Sequence, residues 1–277
     1  RGDDGRRPVP AGERYSRAMS DLRARATAWL ESDPDPETRA ELAALLANDD
    51  MAEVAERMNG TLEFGTAGLR GAVEAGSNRM NRAVVIRTTR GLADHLLDHH
   101  DGDVPGPVVI GRDARLSSPQ FMEDAVAVLA AAGLDVRYWE GDTPTPVVAY
   151  GALALRAVAA IVVTASHNPP QDNGYKVYDA NGAQIVPPVD RHIAAAIDLV
   201  GPANEVPRVD DPYDHPHVQA IDRSVYDAYQ RDIAAWRSRT SGDDRLRIVY
   251  TPMHGVGWQS VRGALHAAGY QDLHPVP

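Results

Sequence analysis

The apolar run at residues 157–163 constrains the fold more than any other stretch, because it ends abruptly in a loop. A short apolar run bounded by residues that break regular structure is typical of a buried strand. The six residues that follow, TASHNP, end in Asn168 and Pro169, and a second proline comes next. Because Asn-Pro-Pro interrupts regular structure, the sequence predicts a buried strand that presents a loop at its carboxyl end.

Predicted helices and strands alternate through most of the remaining chain. Helices are expected at residues 14–30, 37–46, 51–58, 83–100, 118–132, 146–155, 190–199 and 224–237, and strands at 108–111, 135–139 and 157–164, with a hairpin made of 176–178 and 184–186. Before the α/β pattern starts, three helices come in succession. The alternation that follows them indicates an α/β layered domain.

The chain divides into three predicted parts. An N-terminal helical extension covers residues 1–60, the α/β domain with the serine loop covers 61–205, and a linker with an incomplete second domain covers 206–277. The linker prediction rests on the proline and aspartate residues at 201–217. A strand at 246–250 and a helix at 256–268 predict that the second domain is also α/β.

Composition excludes several classes of protein. The 277 residues contain no cysteine, which excludes disulfides and cysteine-ligated metals and fits a cytoplasmic protein. The net charge of -11 argues against non-specific binding of nucleic acid. No apolar stretch approaches the roughly 20 residues of a membrane span. We therefore expect neither a nucleic acid nor a membrane as a partner, and an anionic substrate would require positive charge to be concentrated locally.

Three residues in and after the predicted loop carry candidate chemistry. Ser166, with His167 beside it, is a candidate nucleophile. Lys176 is the only lysine among 28 lysine and arginine residues. Arginine keeps its proton in proteins, whereas lysine releases it when its surroundings lower its pKa. The residues therefore predict a nucleophile with a proton-transfer group nearby. The alternatives are an accidental Ser-His pair and a lysine retained by chance in an arginine-rich composition.

Six motifs occur in an order that is found in a known family. They are EFGTAGLRG at residues 63–71, GSNRMN at 76–81, GRDARLSS at 111–118, GDTPTP at 141–146, TASHNP at 164–169 and TPMHGVG at 251–257. In this order they resemble the N-terminal part of the α-D-phosphohexomutases, the phosphoglucomutase/phosphomannomutase family. The resemblance extends from residue 62 to about residue 269. Each motif is weak alone, and their common order makes the resemblance specific.

This resemblance implies a fold, an activity and a set of site residues. The fold would be a three-layer α/β domain with a mixed sheet. The activity would be an intramolecular phosphotransferase of carbohydrate metabolism that interconverts hexose 1-phosphate and hexose 6-phosphate through a phosphoserine and a bisphosphorylated sugar. Ser166 would carry the phosphoryl group, assisted by Lys176, His167 and Arg70. Substrate and phosphate would be bound by Gly65, Thr66, Gly68, Arg70, Asn168 and Asn173, and the serine loop would be supported from behind by Arg112, Asp113 and Arg115.

The resemblance also implies Mg²⁺, and glucose 1,6-bisphosphate or its mannose equivalent as activator. Magnesium would bind the phosphoserine at Ser166 together with three aspartates of an Asp-x-Asp-x-Asp pattern, which these 277 residues do not contain. The family's later loops for sugar recognition and phosphate clamping are not found either. We therefore expect a truncated chain or part of a longer protein, with little turnover alone. Neither the sugar nor the oligomeric state is predicted.

Other functions stay open on this evidence. Residues 76–81 leave room for a phosphopentomutase of the same family, and an inactive sugar-phosphate-binding module would bind ligand without phosphorylation of Ser166. A serine hydrolase is disfavoured because no Gly-x-Ser-x-Gly elbow surrounds that serine. His95, His99 and His100 lie at helical spacing, and we interpret them as a solvated helix end rather than a metal site.

Overall fold

The computed structural model describes residues 11–65, 68–236 and 245–276. In chain order, its helices and strands are α1 (Ala11–Ser32), α2 (Pro36–Ala47), α3 (Met51–Met58), β1 (Leu69–Ala72), α4 (Arg82–His99), β2 (Val108–Arg112), α5 (Ser118–Ala131), β3 (Val136–Asp142), α6 (Thr145–Ala154), β4 (Ala159–Val163), β5 (Asp172–Asp179), α7 (Val189–Asp198), β6 (Val218–Ala220), α8 (Arg223–Ala235), β7 (Ile248–Tyr250), α9 (Trp258–Ala267) and β8 (Leu273–Pro275). Each helix predicted from the sequence is present within a few residues of its expected bounds.

Helices α1 to α3 pack against one another ahead of the sheet. Leu22, Leu42 and Val54, one from each helix, are buried in a shared apolar cluster. The aspartate-rich turn before α2 is a helix cap, since the Asp35 carboxylate accepts a hydrogen bond of 2.9 Å from the backbone N–H of Glu37. A proline in the first turn and an aspartate at the cap explain why α2 begins there.

Six strands form one mixed sheet in the order β1-β5-β4-β2-β3-β6. Strands β4, β2, β3 and β6 are mutually parallel, whereas β5 is antiparallel to both of its neighbours, β4 and β1. This arrangement confirms the predicted mixed sheet. The second hairpin arm, predicted at residues 184–186, is present only as an isolated antiparallel bridge between Gln184 and Tyr178, with a hydrogen bond of 3.3 Å from the N–H of Ile185 to the carbonyl of Val177, and not as a strand. Strand β1 pairs only with residues 172–175 of β5, which leaves the edge beside Val177 and Tyr178 open to this short contact.

Alternate residues of the central strands face two different helical layers. Val108 and Ile110 belong to the apolar cluster formed with α4, α5 and α7, whereas Val109 belongs to the cluster formed with α6 and α8. Val162 of β4 lies in that second cluster too. Side chains of a strand point alternately to its two faces, so helices on both faces bury the strand completely. The predicted three-layer α/β fold is thereby confirmed.

The sheet extends beyond residue 205, where the sequence places the end of the α/β domain. The three residues of β6, Val218–Ala220, add a parallel edge strand to β3. Val206 and Ile221, on either side of β6, are buried as well. Part of the segment predicted as a linker therefore packs on the domain. The division into three parts stays a prediction.

Strands β7 and β8 pair in parallel as a separate two-stranded sheet. Helix α9 connects them, as in a β-α-β unit, and α9 packs against α8. This agrees with the predicted start of a second α/β unit. In the described ranges, none of the helices is long and apolar enough to cross a bilayer.

Candidate active site

The predicted serine loop lies at the carboxyl end of β4, next to the carboxyl end of β2. After β2 the chain passes through α5 to β3 on one side. Strand β4 lies on the other side of β2, and the chain continues from β4 to β5, which is still further from β2. The connections therefore leave these two strands in opposite directions. In open α/β sheets, such a switch point opens a crevice at the carboxyl edge, and ligands bind there. The fold thus places the residues after β2 and β4 in one crevice.

Ser166 is exposed at the tip of this loop in a left-handed backbone conformation, with a φ of 59°. Its backbone N–H donates to the hydroxyl of Thr164 at 2.9 Å. Its Oγ lies 3.4 Å from Nδ1 of His167, which is also exposed. A left-handed conformation is costly for a residue other than glycine and persists only where surrounding contacts impose it. The loop therefore presents the Ser166 hydroxyl to solvent from a constrained backbone.

The Asp113 carboxylate holds the start of the serine loop to the end of β2. It accepts hydrogen bonds from the hydroxyls of Thr164 at 2.6 Å and Ser118 at 2.7 Å, and from the backbone N–H and Nε of Arg115, both at 3.1 Å. The sequence analysis assigned no role to Thr164, although a hydroxyl directly after a buried strand was a usable signal. Through Thr164, Asp113 is connected to the backbone of Ser166.

Arg115 lies behind the serine loop and binds its backbone. Its guanidinium donates to the carbonyl oxygens of Ser166 at 3.2 Å, Asn168 at 2.9 Å, Pro169 at 2.6 Å and Asp172 at 2.7 Å. With the bond from Nε to Asp113, all three nitrogens of the guanidinium are engaged, and the side chain is only 13% exposed. A planar guanidinium suits this task because its donors are fixed in one fork.

The structure does not bring Arg112 to the serine loop. Its guanidinium pairs with the carboxylate of Asp142, at the end of β3, and donates to the carbonyl of Asp113 at 3.0 Å. The prediction that Arg112 supports the serine loop from behind is therefore not met by its own side-chain hydrogen bonds, which among the described residues reach only the backbone of Asp113 and the carboxylate of Asp142. Arg112 is the last residue of β2, and the neighbouring end of β3 supplies a nearer carboxylate.

Two asparagines that the sequence analysis assigned to ligand binding have different positions. The Asn168 amide donates to the Asp172 carboxylate at 2.9 Å and closes the loop on itself. Asn173 is fully buried, and its amide donates to the hydroxyls of Ser117 at 2.8 Å and Ser118 at 3.0 Å. The assignment of Asn173 to substrate binding is corrected, because its amide faces the start of α5 rather than the crevice.

Lys176 and Arg70 lie on neighbouring strands beside the serine loop. Lys176 of β5 is opposite Val162 of β4, and Arg70 of β1 is opposite Gly174 of β5. Lys176 is buried, and in the described part of the chain its ammonium has no hydrogen-bond partner. Burial lowers the pKa of Lys176, and the positive charge of Arg70 lowers it further, against an opposite effect of Asp113. A lysine in this setting is suited to exchange a proton.

Arg70 offers an unused donor. Its Nε is buried and has no hydrogen-bond partner in the described ranges. A buried donor without a partner costs free energy until a ligand or water satisfies it. An oxygen of a bound phosphate would be such a partner. Positive charge is therefore concentrated beside the serine loop in a protein whose net charge is negative.

The glycine-rich motif approaches β5 closely at one position. Gly68 has a φ of 72°, and a Cβ atom there would lie 2.0 Å from the carbonyl oxygen of Tyr175. The N–H of Gly68 donates to the carbonyl of Gly65 at 2.7 Å, which closes a tight turn. Thr66, predicted to bind phosphate, lies outside the described residues. The turn is thus placed directly over the strand that carries Lys176.

Gly68→Ala is expected to destabilise the chain by about 3 kcal/mol, since it combines a backbone clash with an unfavourable positive φ. Gly65→Ala is the matched control within the motif: a Cβ there meets no atom within 4 Å, and its φ is not in the left-handed region. We expect its free energy of unfolding to change by less than about 1 kcal/mol. Urea denaturation of both variants measures the difference. Equal losses would show that the close approach at Gly68 is not important.

The described residues contain no group of three histidine, aspartate or glutamate side chains arranged to hold a metal ion. The carboxylate nearest to Ser166 along the hydrogen-bond network is that of Asp113, and it is already engaged with Thr164, Ser118 and Arg115. The described residues around Ser166 therefore do not supply a magnesium ligand set by themselves, and we derive no step through the ion. His95, His99 and His100 do not form a metal site either.

Residues 61–201 match the family model described as phosphoglucomutase/phosphomannomutase, alpha/beta/alpha domain I. The phosphoribomutase of Saccharomyces cerevisiae is 33% identical over 252 residues, with 86% of this chain and 40% of that protein aligned. The phosphopentomutase of Mus musculus is 35% identical over 261 residues, with 90% of this chain and 42% of that protein aligned. The chain thus spans about two fifths of the length of these relatives.

A solved structure shows the same fold. The crystal structure of a phosphoglucomutase/phosphomannomutase family protein from Burkholderia thailandensis superposes with a TM-score of 0.58 and 26% sequence identity. The superposition covers 77% of this chain and 43% of that chain. The order of the motifs, the sheet topology and these similarities therefore indicate the same fold and the same family.

Proposed function

Because this chain belongs to the phosphoglucomutase/phosphomannomutase family, we propose that it acts in phosphoryl transfer on a sugar phosphate, with Ser166 as the residue that carries the phosphoryl group. One observation supports this most strongly. The exposed Ser166 is held in a left-handed conformation by a loop whose backbone is bound by Arg115 and, through Thr164, by Asp113. Phosphoryl transfer depends mainly on positioning and on stabilisation of charge, and this loop supplies the positioning.

In the proposed reaction, the phosphoryl group of phosphorylated Ser166 moves to a free hydroxyl of the sugar monophosphate. The bond between phosphorus and the serine Oγ breaks while a bond between phosphorus and the sugar oxygen forms. The hydroxyl proton passes to Lys176, and Oγ takes up a proton from His167 or water. The resulting bisphosphate reorients and returns its other phosphoryl group to Ser166. The covalent intermediate divides one difficult transfer into two easier ones.

Residues around Ser166 would share the remaining tasks. Lys176, whose pKa is lowered by burial, would serve as the general base in one direction and as the general acid in the other. The unpaired Nε of Arg70 and the backbone N–H groups of Gly65 and Thr66 would bind phosphate oxygens. The N–H of Gly68 already donates to the carbonyl of Gly65, so Gly68 would contribute by letting the turn approach β5 closely. Asn168 is engaged with Asp172, so we assign it to holding the loop.

The sugar is proposed in two forms. Hexose 1-phosphate and hexose 6-phosphate follow from the motifs, and magnesium and a hexose 1,6-bisphosphate activator remain part of that proposal. A pentose phosphate is the second candidate, because several relatives that align with most of the chain are named phosphoribomutase or phosphopentomutase, although others are named glucose 1,6-bisphosphate synthase. Loops that would distinguish the two sugars are not recognised in this chain, so activity assays with both sugars are needed.

Intact mass spectrometry tests the proposal. The purified chain is incubated with magnesium and either glucose 1,6-bisphosphate or ribose 1,5-bisphosphate. We expect a gain of about 80 Da, the mass of one phosphoryl group, that maps to Ser166 and disappears in Ser166→Ala. The bisphosphate that reacts faster identifies the sugar. Binding of both bisphosphates without any mass gain, in this chain and in one extended to the length of its relatives, would instead support a binding module.

A further inference from the structure

A cavity lies at the edge of the sheet opposite the serine loop, at the amino end of β4. Its volume is about 460 Å³, and it is lined by the start of β4, the end of β5, the last turns of α4 and the first turns of α7. Ser166 follows the carboxyl end of β4, so the full length of a five-residue strand separates the two sites. At about 3.3 Å per residue this is roughly 16 Å. The cavity is therefore not part of the candidate active site.

Four imidazoles line this cavity. His95, His99 and His100 come from the end of α4, and His192 comes from α7. The ring centroids of His95 and His99 are 5.9 Å apart, those of His95 and His192 are 6.3 Å apart, and those of His99 and His100 are 4.9 Å apart. Two helices that are distant in sequence thus bring the rings together. The sequence analysis identified only the histidines of α4, because the packing of α7 on α4 cannot be read from spacing.

These histidine rings contact one another, and His99, His192 and Arg156 are exposed to solvent. In the described part of the chain, none of the four imidazoles makes a hydrogen bond or an ion pair. The guanidinium of Arg156, which also lines the cavity, is likewise unpaired there. Arg156 has a φ of 52° because it ends α6 in a left-handed turn, in which the N–H of Ala157 donates to the carbonyl of Ala152 at 2.8 Å. Unpaired nitrogen donors therefore converge on one cavity in a protein with a net charge of -11.

The inner wall of the cavity is apolar. Leu92, Val177 and Ile193 line it and are almost completely buried, and Val158 lies beside them. Ligand cavities commonly join an apolar wall with a few polar groups that fix the orientation of the ligand. Because the histidines are not arranged to hold a metal ion, an anion is the ligand that suits five unpaired nitrogen-bearing side chains.

We propose that this cavity is a second ligand site, which binds a small organic oxyanion, a phosphate or carboxylate carried on an apolar body. The oxyanion would accept hydrogen bonds from the imidazoles and from Arg156, and the apolar body would contact Leu92, Val177 and Ile193. The site would bind a ligand independently of the phosphoryl transfer proposed for Ser166.

Affinity for the oxyanion should rise as pH falls, because protonated imidazoles bind anions more strongly. The titratable and charged groups that face the cavity or act on His95 are His95, Asp98, His99 and His100 from α4, Arg156 from the turn before β4, Tyr178 and Asp179 from β5, and His192 from α7. Burial and the neighbouring histidines lower the pKa of His95, so it is largely neutral near pH 7. A bound anion would raise that pKa. Asp179 opposes anion binding only in part, since one of its oxygens already accepts the N–H of Ala180 at 2.7 Å.

Proton NMR of the histidine rings tests this proposal. The chain is titrated with phenyl phosphate, benzoate and inorganic phosphate, and ring signals are assigned with single His→Gln variants. We expect saturable shifts of His95, His99 and His192, with a dissociation constant of about 1 mM or tighter, while His217 does not shift. The tighter of the two aromatic probes identifies the head group. Affinity should be about tenfold higher near pH 6 than near pH 8.

Two arginines on neighbouring segments provide matched variants. Arg156→Gln should weaken binding of the better probe by about tenfold, because it removes a charged donor. Arg191→Gln, which removes the same charge from an exposed position on α7, should leave binding unchanged. Three results would overturn the proposal: no shift with either aromatic probe, equal loss in both variants, or inorganic phosphate binding as tightly as phenyl phosphate. The titrations of the wild-type chain test the proposal even if a variant fails to fold.

Discussion

Replacing Arg115 by alanine is expected to lower the free energy of unfolding by about 3 kcal/mol and to abolish phosphorylation of Ser166. The reason is the number of bonds lost at once. Four loop carbonyls, including those of Ser166 and Asp172, lose a charged donor, and the Asp113 carboxylate loses its cation. Hydrogen exchange of residues 164–172 should rise by a factor of at least about 10².

Arg112→Ala is the control for this prediction, because the two arginines lie three residues apart and both pair with an aspartate. Arg112 binds Asp142, and its side chain makes no hydrogen bond or ion pair with loop residues 164–169, all of which the structure describes. The Arg112→Ala variant should therefore leave hydrogen exchange in the loop unchanged and lower the free energy of unfolding by less than about 1 kcal/mol. Arg115→Lys should behave like the alanine variant in the loop, since a single ammonium cannot reach five acceptors. Wild-type rates of hydrogen exchange at residues 164–172 in Arg115→Ala would contradict the role of Arg115 in supporting the serine loop.

Replacing Lys176 by methionine is expected to slow transfer between Ser166 and the sugar by about 10²–10⁴-fold, the usual contribution of a general acid or base. This variant should lose activity without a fall in its free energy of unfolding. Because burial lowers the lysine pKa, the folded state disfavours the charged form at every pH below the ordinary value of 10.5. Removal of the ammonium therefore removes a cost, and the melting temperature should stay equal or rise. A lower melting temperature would indicate a structural role for Lys176.

A pH profile separates proton transfer by Lys176 from a role for its charge alone. With Ser166 phosphorylated and a sugar monophosphate added, the rate should rise with pH to a plateau, with an apparent pKa below 10.5. The reverse transfer should fall through the same pKa, because the lysine then donates the proton. Lys176→Arg keeps the charge but cannot release a proton, so it should be as slow as the methionine variant. Wild-type rates in Lys176→Arg would exclude proton transfer.

The sequence predicted those features that depend on neighbouring residues. The buried strand before the loop and the helix that begins at Ser118 both follow from short patterns, and both are present. The position of Lys176 shortly after Ser166 in the sequence also predicted that the two lie near one loop, and the strands on either side of that loop pair with each other. Local propensity and periodicity are sufficient for such features, because each element is encoded by its own residues.

Other features depend on pairings between distant segments. The partner of Arg112 at Asp142 and the inward position of Asn173 follow from how β2, β3 and α5 lie side by side. The edge strand β6 has only three residues in a proline-rich segment, so no alternation could reveal it. The histidine cavity needs His192 from α7 beside His95 from α4. Sequence spacing does not specify such neighbours.

Ser166 and Lys176 belong to a single hairpin, since β4 and β5 pair antiparallel on either side of the serine loop. Side chains alternate along β5: Tyr175 and Val177 belong to the cluster with α4 and α5, so Lys176 points to the other face. Deletion of one residue between Ser166 and Lys176 would slip the pairing and turn the lysine into that apolar cluster. Insertion or deletion of a single residue in this segment should therefore disturb Lys176 more than a substitution that keeps the length. Its length, as much as its composition, keeps the two groups on the same side of the sheet.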